Sequence, residues 1–195
     1  MSVSPFMFAP SASTEPVIVE MNGSIFRIPR NFLMAAAMGG GDSHILILTI
    51  TPDFSGWSAF AKSQYDAKNK DFIKREVRIY AEGGNASASG RNKNILEIPS
   101  DKMDEPDNSG LKFVRENPFA SADDVFVHYS KNKNQNDDAV IVCDKLAPLA
   151  CTVYLDTPQR IELQYQFHRS QLENWESIRR GVLNLWNSFY AGDAK

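Results

Sequence analysis

The sequence "VIVCDKLAPLACTVYLD", residues 140–156, contains both cysteines of the 195-residue chain. Each cysteine adjoins a run of β-branched and apolar residues, which is typical of β-strands. The polar start and the proline of "DKLAPLA" separate the two runs. This stretch therefore predicts two neighbouring strands joined as a hairpin, and it raises the question of what the cysteine pair does.

Three chemical roles fit the cysteine pair poorly. A thioredoxin-like pair is two residues apart, a zinc site needs four ligands, and a nucleophilic thiol needs a base. In a hairpin, Cys143 and Cys151 can lie opposite each other, with Cα atoms ~4.5–5.5 Å apart and within disulfide range. We expect a disulfide and therefore an oxidising compartment. The alternative is a pair of buried free thiols.

The segments on either side of this hairpin also have clear periodicity. Asn22-Gly23 is a strong signal for a two-residue β-hairpin turn. In "RIELQYQFH", residues 160–168, apolar and polar side chains alternate, which predicts a half-buried strand. Next, "SQLE" is a capping box in which Ser170 caps a helix and Glu173 reaches back. Gly192 is expected to stop this helix. Its apolar stripe at helical spacing is Leu172, Trp175, Ile178, Val182, Leu185 and Phe189.

The remaining segments complete the predicted fold. Residues 31–43 suggest a short helical turn, 55–72 a helix, and 95–99 a short strand. The predicted class is α+β, a mostly antiparallel sheet with a long C-terminal helix packed on it and a shorter earlier helix. Residues 1–16 are expected to be a disordered lead-in, 17–192 a single domain and 193–195 a tail.

Composition excludes several function classes. The net charge is −3, and no block of basic residues marks a nucleic-acid-binding surface. No apolar run approaches the ~20 residues that span a bilayer. The N-terminus has no basic start and only a short apolar patch, so we expect no signal peptide there. The protein is then either cytosolic, or its signal or anchor is absent from this sequence.

No catalytic or cofactor motif is convincing. Ser43 lies in "GDSH", which has the Gly-Asp-Ser of some hydrolases, but it precedes a strand and no late Asp-x-x-His follows. The glycines of "MGGGDS" lack the lysine of a phosphate-binding loop. The histidines are scattered and fit no metal-binding spacing, although they could converge in space. We expect no catalytic residue, no metal and no cofactor. The three histidines are His44, His128 and His168.

The carboxylates cluster in polar loops, without the apolar walls that raise a catalytic pKa. The functional interpretation is an acidic surface for a basic partner, and the alternative is a solvated loop. Separately, the polar loops at 82–94, 100–110 and 130–138 are long for a compact domain, and we expect a partner to contact these loops. The predicted partner-binding residues are Asp101, Asp104, Glu105, Asp107, Asp137 and Asp138.

Three stretches together carry a family resemblance. They are "VEMNGSIFRIPRNFL", "ITPDFSGW" and the block of residues 140–189 with its paired cysteines, its amphipathic strand and the closing "NSF". The chain resembles small periplasmic or membrane-anchored bacterial proteins encoded beside antibacterial toxins, among them immunity proteins of type VI secretion effectors. The similarity spans most of positions 18–190, and its motifs are structural rather than catalytic. Such proteins usually begin with a transmembrane or lipoprotein segment, which this sequence lacks.

The resemblance implies a protein that is not an enzyme, binds a cognate toxin in the periplasm and blocks its active site. No inhibitory contact can be transferred, because the resemblance includes no inhibitory motif. Two alternatives stay open. A hydrolase would need a deep pocket with a histidine beside a serine, cysteine or carboxylate. An envelope adaptor or lipid-binding protein would need an exposed apolar groove.

Overall fold

The computed structural model describes residues 6–7, 11–37, 44–56, 74–84, 87–115, 123–130, 138–145 and 151–194. These residues form two antiparallel sheets and two α-helices, which confirms the predicted α+β class. The strands of the large sheet are β1 (Phe6–Met7), β4 (Leu33–Ala37), β5 (His44–Ile50), β6 (Ser55–Gly56), β7 (Glu76–Glu82), β8 (Lys112–Phe113), β9 (Asp124–His128), β10 (Ala139–Cys143), β11 (Cys151–Asp156) and β12 (Glu162–Phe167). The small sheet contains β2 (Pro16–Met21), β3 (Ser24–Pro29) and β13 (Tyr190–Asp193).

The large sheet has the order β1-β4-β5-β7-β12-β11-β10-β9-β8, with β6 paired to β5. Four consecutive strands, β9 to β12, are joined by hairpin connections, and the predicted hairpin around the cysteines is one of them. The alternation predicted for β12 is confirmed, since Leu163, Tyr165 and Phe167 are each at most 1% exposed. Strand β1 pairs with β4 although it lies within the predicted disordered lead-in.

Helix α2 (Trp175–Phe189) covers one face of the large sheet together with the small sheet. Its buried residues are Trp175, Ile178, Val182, Trp186 and Phe189. The predicted stripe is largely confirmed, but Trp186 occupies the position expected for Leu185, which is only half-buried. Leu172 lies before the helix, in a 3₁₀ segment (Arg169–Asn174).

The predicted ends of α2 are wrong at both termini. Ser170 is not the cap; instead the ring of His168 accepts a hydrogen bond from the Ser170 N–H at 3.1 Å and begins the 3₁₀ segment. The α-helix then starts only at Trp175. At the other end, the helix stops at Phe189, before Gly192. Gly192 lies in β13, because the chain turns directly from the helix into the small sheet.

Helix α1 (Ala88–Leu96) lies on the opposite face of the large sheet, over β10 and β11. This helix corrects two predictions, because it replaces the strand expected at 95–99 and most of the polar loop at 82–94. Ser87 caps it by accepting from the Gly90 N–H. Its side chains, with those of neighbouring strands and loops, form a second apolar core that contains Ile95, Met103, Val114, Val125, Val127 and Val140.

Two earlier predictions can be compared with strands β4 and β6. The helical turn expected within 31–43 is wrong where the structure describes it, because Leu33–Ala37 is strand β4. Ser55–Gly56, at the start of the helix predicted for 55–72, is strand β6. Residues 57–72 of that prediction lie outside the described residues. The shorter helix before the C-terminal one is confirmed as an element by α1, which lies further along the chain.

Candidate functional site

The cysteine hairpin closes as predicted. Cys143 and Cys151 face each other in the β10–β11 register and form a disulfide with their Cα atoms 4.0 Å apart. Both side chains are fully buried in the main core. The pair is therefore a structural crosslink with no thiol available for metal binding or nucleophilic attack.

A buried carboxylate lies next to this crosslink. Asp124 is paired in register with Cys143 and accepts hydrogen bonds from Arg169 and from Lys145, whose Nζ lies 3.0 Å from Oδ1. Burial works to raise the pKa of Asp124, but the hydrogen bonds and charges of Arg169 and Lys145 outweigh it, so the pKa is lowered. The network ties the ends of three strands together at the closed end of the hairpin.

Replacing Asp124 with asparagine is expected to cost about 1–2 kcal/mol of unfolding free energy at pH 7, because two charge-assisted hydrogen bonds weaken. The folded pKa lies below the unfolded value of about 3.9, so the stabilisation is present above that value and is lost as pH falls through the folded pKa. Urea unfolding at several pH values measures this. The difference in the free energy of unfolding between wild type and Asp124→Asn should become smaller below about pH 4. A difference that does not change with pH would contradict the stabilising role of the Asp124 charge.

The three histidines do not converge on one site. His44 is exposed at the start of β5, and His168 caps the 3₁₀ segment with its ring 2.8 Å from the Ser170 hydroxyl. His128 packs on Trp175 with ring centroids 5.0 Å apart, and its Nδ1 lies 3.3 Å from the Gly110 carbonyl oxygen. Within the described ranges, no three His, Cys, Asp or Glu side chains are grouped to hold a metal ion. Ser43 and the "MGGGDS" glycines lie outside the described residues.

The acidic residues of the 100–110 segment differ in their roles. Asp107 is structural, since its carboxylate accepts from the Ser109 and Leu111 backbone N–H groups at 2.8 and 3.0 Å. Asp104 pairs with Arg115 at 3.3 Å, and the same guanidinium donates to the backbone carbonyl of Asp101. The side chains of Asp101, Asp104, Glu105 and Asp107 are all exposed.

The exposed side chain of Tyr129 lies near both the 100–110 segment and Asp138. Tyr129 donates to the Leu96 carbonyl at 3.3 Å and lies 3.8 Å from the Met103 sulfur. Its pKa is raised by burial and by the negative charge of Asp138, which itself accepts from the Ser130 N–H at 2.8 Å. Asp137 lies outside the described residues. We call Tyr129 with Asp101, Asp104, Glu105, Asp107 and Asp138 the acidic surface.

Three shallow depressions are lined in part by arginines of helix α2, and the first of them lies mainly against helix α1 and strand β11. Arg179 lines one with Asp138 and Tyr154, and it also lines a second. Arg180 lines the second and a third, which is bounded by Phe54. These three depressions are lined by charged as well as apolar groups.

A glycine fixes the shape of the third depression. A Cβ atom at Gly181 would lie 2.0 Å from the Phe54 ring, so only glycine lets this ring pack on the helix backbone. Phe54 itself adopts a left-handed φ of 49°. Neither Arg180 nor Tyr129 could be recognised from the sequence as part of these surfaces. The spacing of apolar residues identifies the buried side of a helix. It does not identify the segments beside the exposed side, because those segments come from distant positions in the chain.

Comparisons with known proteins identify a shared fold. No protein-family model matches the chain, and no curated protein matches its sequence. Among solved structures, the chain is similar to Smlt3025, an immunity protein of the Stenotrophomonas maltophilia type IV secretion system. The TM-score is 0.63 at 15% identity, covering 92% of this chain and 94% of that one. It also matches the iron-regulated outer membrane lipoprotein FrpD of Neisseria meningitidis with a TM-score of 0.46, at 13% identity over 95% of this chain and 98% of that one.

The match to Smlt3025 extends over nearly the full length of both chains, so the two proteins share an overall fold. None of the helices that the structure describes is long and apolar enough to cross a membrane.

Proposed function

We propose that this protein is an immunity protein that binds and neutralises a cognate antibacterial toxin. The observation that supports this most directly is the fold shared with Smlt3025 over 92% of the chain. The sequence resemblance to immunity proteins also supports this function. His128 contacts the Gly110 carbonyl, and His168 contacts the Ser170 hydroxyl at the start of the 3₁₀ segment.

The proposed compartment is the periplasm. A disulfide between two fully buried cysteines fits an oxidising environment, and the toxins of such systems would meet this inhibitor there. The sequence resemblance favours a type VI secretion effector as the toxin, whereas Smlt3025 serves a type IV system. Inhibition is proposed to occur by occlusion of the toxin's active site.

The acidic surface is the proposed contact for basic groups of the toxin. Its carboxylates are exposed, and Tyr129 beside them is 37% exposed. Tyrosine is enriched in protein interfaces, where its ring contributes contact area, and charged side chains around an interface contribute specificity and association rate.

A growth assay tests the function. The secreted-effector gene adjacent to this protein's own gene is expressed in the periplasm of a sensitive strain, with or without the protein. We expect the effector alone to stop growth and the effector together with the protein to permit it. The purified pair should form a 1:1 complex without turnover by this protein. If the protein neither protects the strain nor binds the effector, the proposal is wrong.

The double variant Asp101→Lys/Glu105→Lys tests the acidic surface. We expect its affinity for the same effector to fall about tenfold, mainly through slower association, because exposed charges steer encounter. Binding kinetics at two salt concentrations measure this. Glu15→Lys/Glu173→Lys, which changes the charge equally at two other exposed positions, is the matched control. If both double variants bind the effector equally well, the acidic surface is not part of the interface, and the proposed function still stands.

A further inference from the structure

One side chain joins the β2–β3 turn to two turns of the large sheet. The Asn22 Nδ2 donates to the Arg160 carbonyl at 2.5 Å, and the Asn22 Oδ1 accepts from the Gly84 N–H at 2.7 Å. These partners fix which end of the amide faces each of them, because a carbonyl can only accept and an N–H can only donate. We call this side chain with its two backbone partners the Asn22 bridge.

The Asn22 bridge lies at the end of the ladder between β7 and β12. Glu82 pairs with Glu162, and this is the last pair in the register of the two strands. Gly84 and Arg160 lie just beyond that pair, and both have a positive φ, of 94° and 57°. Asn22 has a φ of 49°. The bridge therefore gives partners to two backbone groups that the strand pairing leaves over.

The residue after Asn22 makes its amide chemically labile. The sequence contains one Asn-Gly dipeptide, Asn22-Gly23, and glycine has no Cβ to hinder attack of its backbone nitrogen on the Asn22 Cγ. Gly23 is exposed, and a Cβ atom there would meet no atom of the described residues within 4 Å. Water therefore reaches this peptide bond.

The reaction at this dipeptide needs only water. A bond forms between the Gly23 nitrogen and Cγ, the Cγ–Nδ2 bond breaks, and Nδ2 leaves as ammonia with the proton of the Gly23 nitrogen. Water then opens the succinimide ring. Opening at one carbonyl gives aspartate, and opening at the other gives isoaspartate, in which the backbone runs through the side-chain carbon. No atom is oxidised or reduced.

The Asn22 bridge opposes this reaction in the folded protein. Ring formation requires the amide to rotate until Cγ meets the Gly23 nitrogen, and this rotation breaks the hydrogen bonds to Arg160 and Gly84. The turn must therefore open locally before the ring can form, and locally open forms are a small fraction of the native state.

We propose that Asn22 is a deamidation site controlled by the Asn22 bridge, and that the modification permanently releases the β2–β3 turn from the large sheet. An ionised carboxylate only accepts hydrogen bonds, so the aspartate product sets an acceptor against the Arg160 carbonyl. The isoaspartate product also adds a backbone atom to a two-residue turn whose length sets the register of β2 and β3. This site does not depend on the proposed toxin.

Deamidation rates of the folded and unfolded chain test the proposal. The wild-type protein is incubated at mildly alkaline pH with and without denaturing guanidinium chloride, and peptide mapping by mass spectrometry locates the mass gain from replacing NH₂ with OH. We expect Asn22 to be the fastest-reacting asparagine of the unfolded chain. In the folded protein it should react at least about tenfold more slowly.

Hydrogen exchange of the Gly84 amide measures how often the bridge opens. Folding should slow deamidation of Asn22 at least as much as it slows exchange at Gly84, because both processes need the same opening. If Asn22 reacts equally fast in the folded and unfolded protein, or if its slowing is smaller than that of Gly84, the bridge does not control the reaction and the proposal is wrong. No mass gain at Asn22 in the unfolded chain would also overturn it.

Asn22→Gly is the matched variant, because glycine keeps the positive-φ turn and removes the bridge. We expect the Gly84 amide to exchange at least about tenfold faster than in wild type, both in this variant and in the isoaspartate form purified from aged wild-type protein by anion exchange. The second protein provides the readout even if the variant does not fold. Exchange at Gly84 as slow as in wild type, in either protein, would show that Asn22 does not hold this turn and would overturn the proposal.

Discussion

Replacing Trp186 with alanine is expected to lower the free energy of unfolding by about 3–5 kcal/mol, the usual cost of truncating a buried tryptophan. The indole is 1% exposed and packs on Phe26 of the small sheet with ring centroids 4.6 Å apart. It therefore joins helix α2 to the small sheet, and its removal would leave a cavity between them.

Trp186→Phe is the matched control for this prediction. The Trp186 Nε1 is buried with no hydrogen-bond partner in the described structure, so phenylalanine removes an unsatisfied donor while keeping an aromatic ring against Phe26. We expect it to cost only about 1 kcal/mol. Urea unfolding of the three proteins measures the difference. A loss below about 1 kcal/mol for Trp186→Ala would show that Trp186 does not join the two layers.

The sequence predicted the strands best, because alternation is a local property. The β12 pattern and the Asn22-Gly23 turn both agree with the structure. Even there one residue deviates: Glu162 is 2% exposed although it occupies a polar position. Arg91 of helix α1 pairs with it at 3.0 Å, and no pattern within β12 could show that this partner covers it.

The position of helix α1 could not be predicted from local sequence, because a distant residue contributes to its first turn. The helix includes Gly90 and several polar side chains, and only Ala88, Asn92 and Ile95 are buried. The Asp156 carboxylate, from strand β11, accepts from the Ala88 and Ser89 N–H groups at 2.8 and 3.0 Å. A negative charge at the first turn stabilises a helix, but sequence spacing gave no sign of this contact.

The candidate site was predictable only in part. Acidic loops stand out in the sequence, yet Asp107 proves to organise its own turn, and Arg115 contacts Asp101 and Asp104. Which carboxylates face a partner depends on such contacts.

Removing the disulfide is expected to destabilise the protein by about 2–3 kcal/mol, from the chain entropy of a crosslink that closes a short loop. Cys143 and Cys151 are separated by eight positions, and both side chains are fully buried. The appropriate variant is Cys143→Ala/Cys151→Ala, because serine would bury two hydroxyls without partners.

The reductant dependence distinguishes the crosslink from simple packing. Wild type should lose about 2–3 kcal/mol in urea unfolding when dithiothreitol is added, and the double alanine variant should show the same midpoint with and without it. Alkylation and mass spectrometry of protein from its native compartment supply the control. Two free thiols there would contradict both the crosslink and the periplasmic assignment, because a folded protein in an oxidising compartment would hold this buried, facing pair as a disulfide.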